Sequence, residues 1–239
     1  TLAKIAAEKA GIIKPGVPVV IGEYGNESFP VFSAYADDQS SPLIRAWEIQ
    51  EQLPNSDLKG PYQTANRRTA LVAIRELIHG GWSIPESAII SGFEQVISNT
   101  GLMGRWQTIA EHPRIICDTG HNKDGIAYIV QQLKQESYQS LRMVFGQVAG
   151  KDPQAVLSML PTHAEYYFCE PSVPRKLDVA TLMEEAQYHQ LNGRGFLSVR
   201  AAYEQALADS HADDLIFVGG STFVVADLLT YLNHTDPVG

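Results

Sequence analysis

Cysteine is scarce in this chain of 239 residues: Cys117 and Cys169 are its only two. Both sit in apolar, strand-like runs, which fits a reducing cytoplasm better than a disulfide framework. An excess of positive charge is missing too. Eighteen Lys and Arg stand against 27 Asp and Glu, a formal net charge of −9. No basic stripe is available to neutralise a phosphate backbone, so nucleic acid is not an expected partner. A nucleotide is still allowed, because it needs only a few local donors. No apolar run approaches the roughly 20 residues that cross a bilayer, and no signal peptide is visible, so no membrane partner is expected. None of the seven His residues pairs with another at metal-ligand spacing, and H-E-x-x-H and cysteine clusters are absent. Without a G-x-S-x-G elbow a serine hydrolase has no support. Without G-x-G-x-x-G after a strand, a dinucleotide site has little.

What is present is an ordinary globular composition, 44% apolar and 19% charged, long enough for one large domain or two small ones. Thr1–Ile13 reads as a helix already under way, with Ala3, Ala6, Ala7 and Ala10 on its small apolar face and Pro15-Gly16 after it. Val17–Ile21 is a β-rich run, and Ser28–Asp38 a short helix. Leu43–Ile49 reads as an edge strand. Apolar spacing predicts helices over Gln63–His79, stopped by Gly80-Gly81, and over Pro85–Ser98. Asn99–Gly104 is the expected domain boundary. Beyond it strands of about five residues alternate with helices of about ten, from Arg114–Asp118 to a last helix over Thr222–Leu232. That rhythm predicts an α/β fold with a mostly parallel, Rossmann-like sheet and helices on both faces.

Asp118-Thr-Gly-His-Asn122 follows the buried-looking Ile115-Ile-Cys117 and precedes a helix. In open α/β sheets, ligands collect at the carboxyl ends of strands and at helix N-termini. Asp118 is placed to accept hydrogen bonds from a ribose diol, and His121 to reach a phosphate or a nucleotide edge. Asp118 and Asn122 serve equally well as caps of the next helix, and spacing alone leaves both readings open. Arg105, in Gly104-Arg-Trp-Gln107, lies at the boundary, where a guanidinium suits polyphosphate or simply faces solvent. Asn66 lies in the first turns of the long helix and reads, by itself, as solvent-facing. Glu8-Lys9 reads as a surface pair worth little. Gly146–Asp152 looks like a phosphate-binding loop but is one residue short, with Asp152 where a magnesium-binding Ser or Thr belongs. Gly219-Gly-Ser-Thr-Phe223 reads as a tight strand-to-helix turn, and Pro174-Arg-Lys176 as a solvated basic loop.

Taken in order along the chain, these segments resemble the folylpolyglutamate synthase/dihydrofolate synthase family of the Mur ligase superfamily. Residues 1–16 are similar to its IA-x-EKAGI-x-K-x-G signature, 104–107 to GR-x-Q, and 118–123 to D-x-A-H-N-P, with Gly120 for Ala and Lys123 for Pro. Residues 60–67 are similar to G-x-H-Q-x-x-N-A, with Tyr62 for His and Arg67 for Ala. Residues 144–152 resemble the DKD loop, and 220–223 the GS-x-[FY] turn. The resemblance implies that residues 1–100 are the C-terminal segment of the ligase's ATP-binding central domain, and 101–239 the Mur ligase C-terminal domain. The phosphate-binding half would be absent, and the chain inactive by itself.

The implied reaction joins L-glutamate to dihydropteroate or a reduced folate through an acyl phosphate, with ATP and Mg2+ as cofactors. The implied site has Asn66 on adenine, Asp118 on ribose, Arg105 on the phosphates and His121 as a catalytic residue. Lys9 is the lysine carbamylated in this superfamily. It would hold metal only in that form; no other metal ligand is expected in this chain. A monomeric, cytoplasmic protein is implied. Alternatives are a muramyl-type amino-acid ligase, which shares the domain plan, and a non-catalytic nucleotide- or protein-binding module.

Overall fold

Four segments carry apolar side chains at consecutive positions: Ile115–Cys117, Met143–Phe145, Tyr166–Cys169 and Leu215–Val218. That is the pattern of strands buried on both faces. In the computed structural model, which describes residues 1–60, 62–150 and 153–235, these segments are the central strands of a six-stranded sheet. The strands of this sheet are β3 (Gln107–Glu111), β4 (Arg114–Asp118), β5 (Leu141–Phe145), β6 (Glu165–Cys169), β7 (Gly193–Phe196) and β8 (Leu215–Gly219). Their order is β3-β4-β8-β5-β6-β7, and every pairing is parallel except the β3–β4 hairpin.

Alternate residues of each strand serve different cores. Ile116, Met143, Phe145, Tyr166, Phe168 and Phe217 pack with α6 (Lys123–Leu133), α7 (Gln154–Leu157) and α8 (Val179–Tyr188). Ile115, Cys117, Val144, Tyr167, Cys169, Ile216 and Val218 pack with α9 (Val199–Ala208) and α10 (Thr222–Thr235). Both cysteines are free thiols. Burial first, and the neighbouring Asp118 second, push the Cys117 thiol up to about 12.

The chain divides into two compact units, Thr1–Gly101 and Leu102–Gly239. The first contains α1 (Leu2–Ala10), α2 (Phe29–Asp38), α3 (Gln63–His79), α4 (Glu86–Glu94) and α5 (Val96–Thr100), with β1 (Val19–Ile21) paired in parallel to β2 (Leu43–Arg45). Its small core is Leu71, Ile89 and Phe93, with Leu53, Ile74, Ile78 and Ile84 against it. Arg75 ties α3 to Glu51 at 2.5 Å and Glu86 at 2.7 Å.

The helix expected over Pro85–Ser98 is two helices. The Asp57 carboxylate accepts from Val96 N–H at 3.2 Å and Ile97 N–H at 2.8 Å. This distant carboxylate caps a new helix start and so breaks the run. The run expected as one edge strand over Leu43–Ile49 is strand only to Arg45, followed by a 3-10 turn over Ala46–Glu48. Among the described residues, no helix is long and apolar enough to cross a membrane.

Residues 101–104 are in neither helix nor strand, and Leu102 and Met103 are exposed. Limited proteolysis is therefore expected to cut within Asn99–Gly104 before it cuts in either unit. Mass spectrometry of the first fragments checks this. First cleavage between Leu141 and Glu170 would refute it.

Candidate functional site

β8 is the last strand, yet it lies between β4 and β5. The chain leaves β4 into α6 on one face of the sheet and leaves β8 into α10 on the other. Such a divergence opens a crevice at the carboxyl ends of the strands. Here the crevice is a recess of about 720 Å3, lined by the turns after β4, β5 and β8 and by Arg175.

Each turn is fixed locally. Asn122 caps α6, its Oδ1 accepting from Gly125 N–H at 2.8 Å. Gly220 sits at φ 91°, and a Cβ there would meet the Phe145 ring at 2.6 Å and the Gly146 carbonyl at 2.7 Å. No other residue fits that turn. Ser221 is buried, and its Oγ accepts from Phe223 N–H at 3.2 Å at the start of α10. After β5 the backbone pairs with the loop after β6. Ala149 N–H donates to Arg175 O at 2.7 Å, and Leu177 N–H to Gln147 O at 3.0 Å. Glu170 anchors that second loop, pairing with Lys176 at 2.5 Å and accepting from Val179 N–H at 3.0 Å. The Lys176 ammonium, and then the Val179 amide, hold its carboxyl below the usual range.

The electrostatics have one sign. Lys123 and Arg175 bring positive charge to the recess, the His121 imidazole lines it as well, and none of its described lining residues is Asp or Glu. The first residues of α6 and α10 also line it, and helix N-termini carry partial positive charge and unsatisfied N–H groups. Arg175 lies over the Phe223 ring, 5.5 Å from its centroid, a contact that steadies a long cationic side chain. His121 Nδ1 is 3.1 Å from Thr119 O. A carbonyl only accepts, so Nδ1 carries the hydrogen, and in the neutral ring Nε2 is left as the acceptor. A carboxylate or phosphate suits this lining.

Asp118 is only 4% exposed. Its Oδ2 accepts from Trp106 N–H and its Oδ1 from Gly120 N–H, both at 2.7 Å. Thr119 N–H donates to Gly104 O at 3.0 Å. Asp118 thus pins the turn that carries half-buried Arg105, and the cap of α6 is left to Asn122. Gly104, at φ 72°, is packed so closely that a Cβ would meet Thr119 and Val225 side chains at 2.8 Å.

The second unit therefore brings Arg105, Asp118 and His121 onto two joined turns. Lys9 and Asn66 belong to the first unit. Lys9 is exposed in the last turn of α1. Asn66 Nδ2 donates to Gln63 Oε1 at 3.1 Å, beside a hollow of about 400 Å3 shared with Gly22 and Thr69. Lys151 and Asp152 of the DKD-like loop lie outside the described residues. Among the described residues, no three His, Cys, Asp or Glu side chains converge as a metal site.

Sequence reasoning passed over four residues of the recess. Arg175 reads as part of a solvated loop, Lys123 as a departure from a motif, and Ser221 as turn structure. Gln147 drew no notice, although it stands just past the end of an apolar strand, the same kind of position as Asp118.

Residues 104–222 match the family model of the Mur ligase glutamate ligase domain. The dihydrofolate synthase/folylpolyglutamate synthase of Escherichia coli K12 is 28% identical over 96% of this chain and 55% of its own length. The folylpolyglutamate synthase of Lacticaseibacillus casei is 27% identical over 95% of this chain and 56% of its own. The chain thus spans about half the length of these curated relatives. Among solved structures, E. coli FolC in complex with DHPP and ADP superposes with a TM-score of 0.82 at 27% identity, covering 97% of this chain and 57% of that one. A bifunctional folylpolyglutamate synthase/dihydrofolate synthase with Mn, AMPPNP and L-glutamate bound gives 0.78 at 27% identity, with 97% and 57% covered.

Proposed function

Because this chain belongs to the folylpolyglutamate synthase/dihydrofolate synthase family of Mur ligases, we propose that it takes part in ATP-dependent ligation of L-glutamate to dihydropteroate or a folylpolyglutamate. The observation that carries this reading is the recess at the carboxyl ends of β4, β8 and β5, whose described lining residues include Lys123 and Arg175 and no acid. Glutamate brings two carboxylates, and Lys123, Arg175 and two helix N-termini are suited to hold them.

In this reaction the γ-phosphoryl group of ATP passes to a carboxylate oxygen of the pteroate or folate, giving an acyl phosphate and ADP. The glutamate amine attacks the acyl carbon, the C–N bond forms, and inorganic phosphate leaves. The amine must shed a proton, and Nε2 of His121 carries the lone pair that takes it. Arg105 meets the phosphates, Asp118 holds the Arg105 turn and meets the ribose, and Asn66 meets the adenine. Lys9 joins a metal site only after its neutral Nζ attacks carbon dioxide, forming an N–C bond and releasing a proton. Magnesium arrives with ATP.

These residues contain no G-x-x-x-x-G-K-[ST] loop, the element that cradles the phosphates in related chemistry. The 239-residue chain alone is therefore expected to release no phosphate from ATP with dihydropteroate and glutamate. Joined behind the phosphate-binding part of a full-length relative, it is expected to do so. Equal turnover by the chain alone would overturn this division of labour. No turnover by the joined protein, with its fold intact, would overturn the ligase reading. A cytoplasmic location accords with folate ligation and with two free, buried thiols.

A further inference from the structure

Gln147 presents a side-chain amide to the recess. It follows β5 and is only 7% exposed, yet it lines the cavity. Its backbone carbonyl is taken by Leu177 N–H at 3.0 Å. Its side-chain amide, with two N–H donors and a carbonyl acceptor, has no hydrogen-bond partner among the described residues. Gln147 is not among the side chains with enclosed, unpartnered polar atoms, so its amide opens onto the recess, where a ligand or solvent meets it. The pairing of 147–149 with 175–177 also fixes the backbone beneath it, so the amide is held rather than free to turn to bulk water.

We propose that Gln147 is a substrate-contacting residue for the amino acid that enters this recess. Its amide nitrogen donates to a carboxylate oxygen of that amino acid, whose charge is balanced by Lys123 and Arg175. This rests on the reading of the recess as the glutamate site and adds a contact to it. Because the described lining residues include no acid, a carboxylate at position 147 would meet the ligand's carboxylate directly. An amide is the uncharged group of that shape that attracts instead of repelling.

The test is binding of L-glutamate to the 239-residue chain, by calorimetric titration, together with melting curves without ligand. Gln147→Met is expected to melt close to the wild-type temperature, because it keeps the size of the side chain and the amide faces the recess rather than the core. It is expected to bind L-glutamate about tenfold more weakly, the loss of one hydrogen bond to a charged group. Gln147→Glu is expected to bind about a hundredfold more weakly or not at all. If Gln147→Met binds as tightly as wild type, or melts well below it, Gln147 is a packing residue and the inference fails while the glutamate site stands. If wild type itself does not bind L-glutamate, the reading of the recess fails and takes the inference with it.

Discussion

Replacing Arg142 with alanine is expected to destabilise the second unit by about 3–5 kcal/mol, the usual cost of breaking a buried ion pair from one side. Arg142 lies on β5 at the amino-terminal end of the sheet, and its side chain is 10% exposed. It pairs with Asp214 at 3.1 Å and with Glu165 on β6. Asp214 is 2% exposed, accepts from His211 N–H at 3.0 Å and has the exposed His211 ring 3.8 Å away. Glu165 also meets Arg194 at 3.3 Å, and Arg194 pairs with Asp209, which accepts from Tyr167 at 2.9 Å. One network therefore joins β5, β6, β7, the end of α9 and the approach to β8.

The alanine variant leaves Asp214 charged, buried and held by one amide. Burial alone would raise the Asp214 carboxyl, but the His211 amide and the Arg142 guanidinium outweigh it and hold the pKa below the usual value. A depressed carboxyl contributes stability above its unfolded pKa, about 3.9, and loses it as pH falls through the folded pKa. In the variant, burial without the cation raises that pKa, so protonation relieves the strain on acidification. The gap between wild type and Arg142→Ala is thus expected to be full at pH 7 and to narrow toward pH 4. Denaturant melts at several pH values measure it. In a double-mutant cycle with Asp214→Asn, the combined loss should fall short of the sum of the single losses. A cost under about 1 kcal/mol at pH 7, or strict additivity, would count against the network.

The fold of the second unit was legible because its strands carry unbroken apolar runs and its helices begin at visible caps and glycines. β3 was not. Gln107-Thr-Ile-Ala-Glu111 is a half-exposed edge strand, and its polar residues give no apolar run to read. The break between α4 and α5 was hidden for another reason. It depends on Asp57, nearly 40 residues earlier in sequence, and local periodicity carries no information about such a cap. The insertion of β8 between β4 and β5 was equally out of reach, since strand order is set by long-range packing. That order is what makes the recess. Asp118, His121 and Arg105 were found because they stand beside strand ends and in recognisable motifs. Arg175 and Gln147 were not, because one sits in an ordinary basic loop and the other is singled out only by the recess it lines once the strands are ordered.

Asp118→Ala is expected to cost stability and nucleotide use together. Both carboxylate oxygens accept backbone N–H groups, and Trp106, whose amide is one of them, is buried. Leaving these two donors unmatched at roughly 1–3 kcal/mol each predicts a loss of about 2–6 kcal/mol. The Trp106 turn is at φ 46°, a conformation a non-glycine residue keeps only when its surroundings impose it. Without the carboxylate the turn relaxes and Arg105 loses its setting, so ATP binding should weaken by about tenfold to a hundredfold. Two controls separate the contributions. Arg105→Ala should weaken ATP binding with little change in the melting temperature. Asn122→Ala removes the cap of α6, and should cost about 1 kcal/mol while leaving ATP binding nearly unchanged. Melting curves, and nucleotide titrations taken well below the variant's melting temperature on the chain joined behind the phosphate-binding part of a full-length relative, read both effects. An Asp118→Ala protein that is destabilised but binds ATP like wild type would reduce Asp118 to a structural clamp. One that melts like wild type would show that the two amides find other partners, and the account of this turn would be wrong.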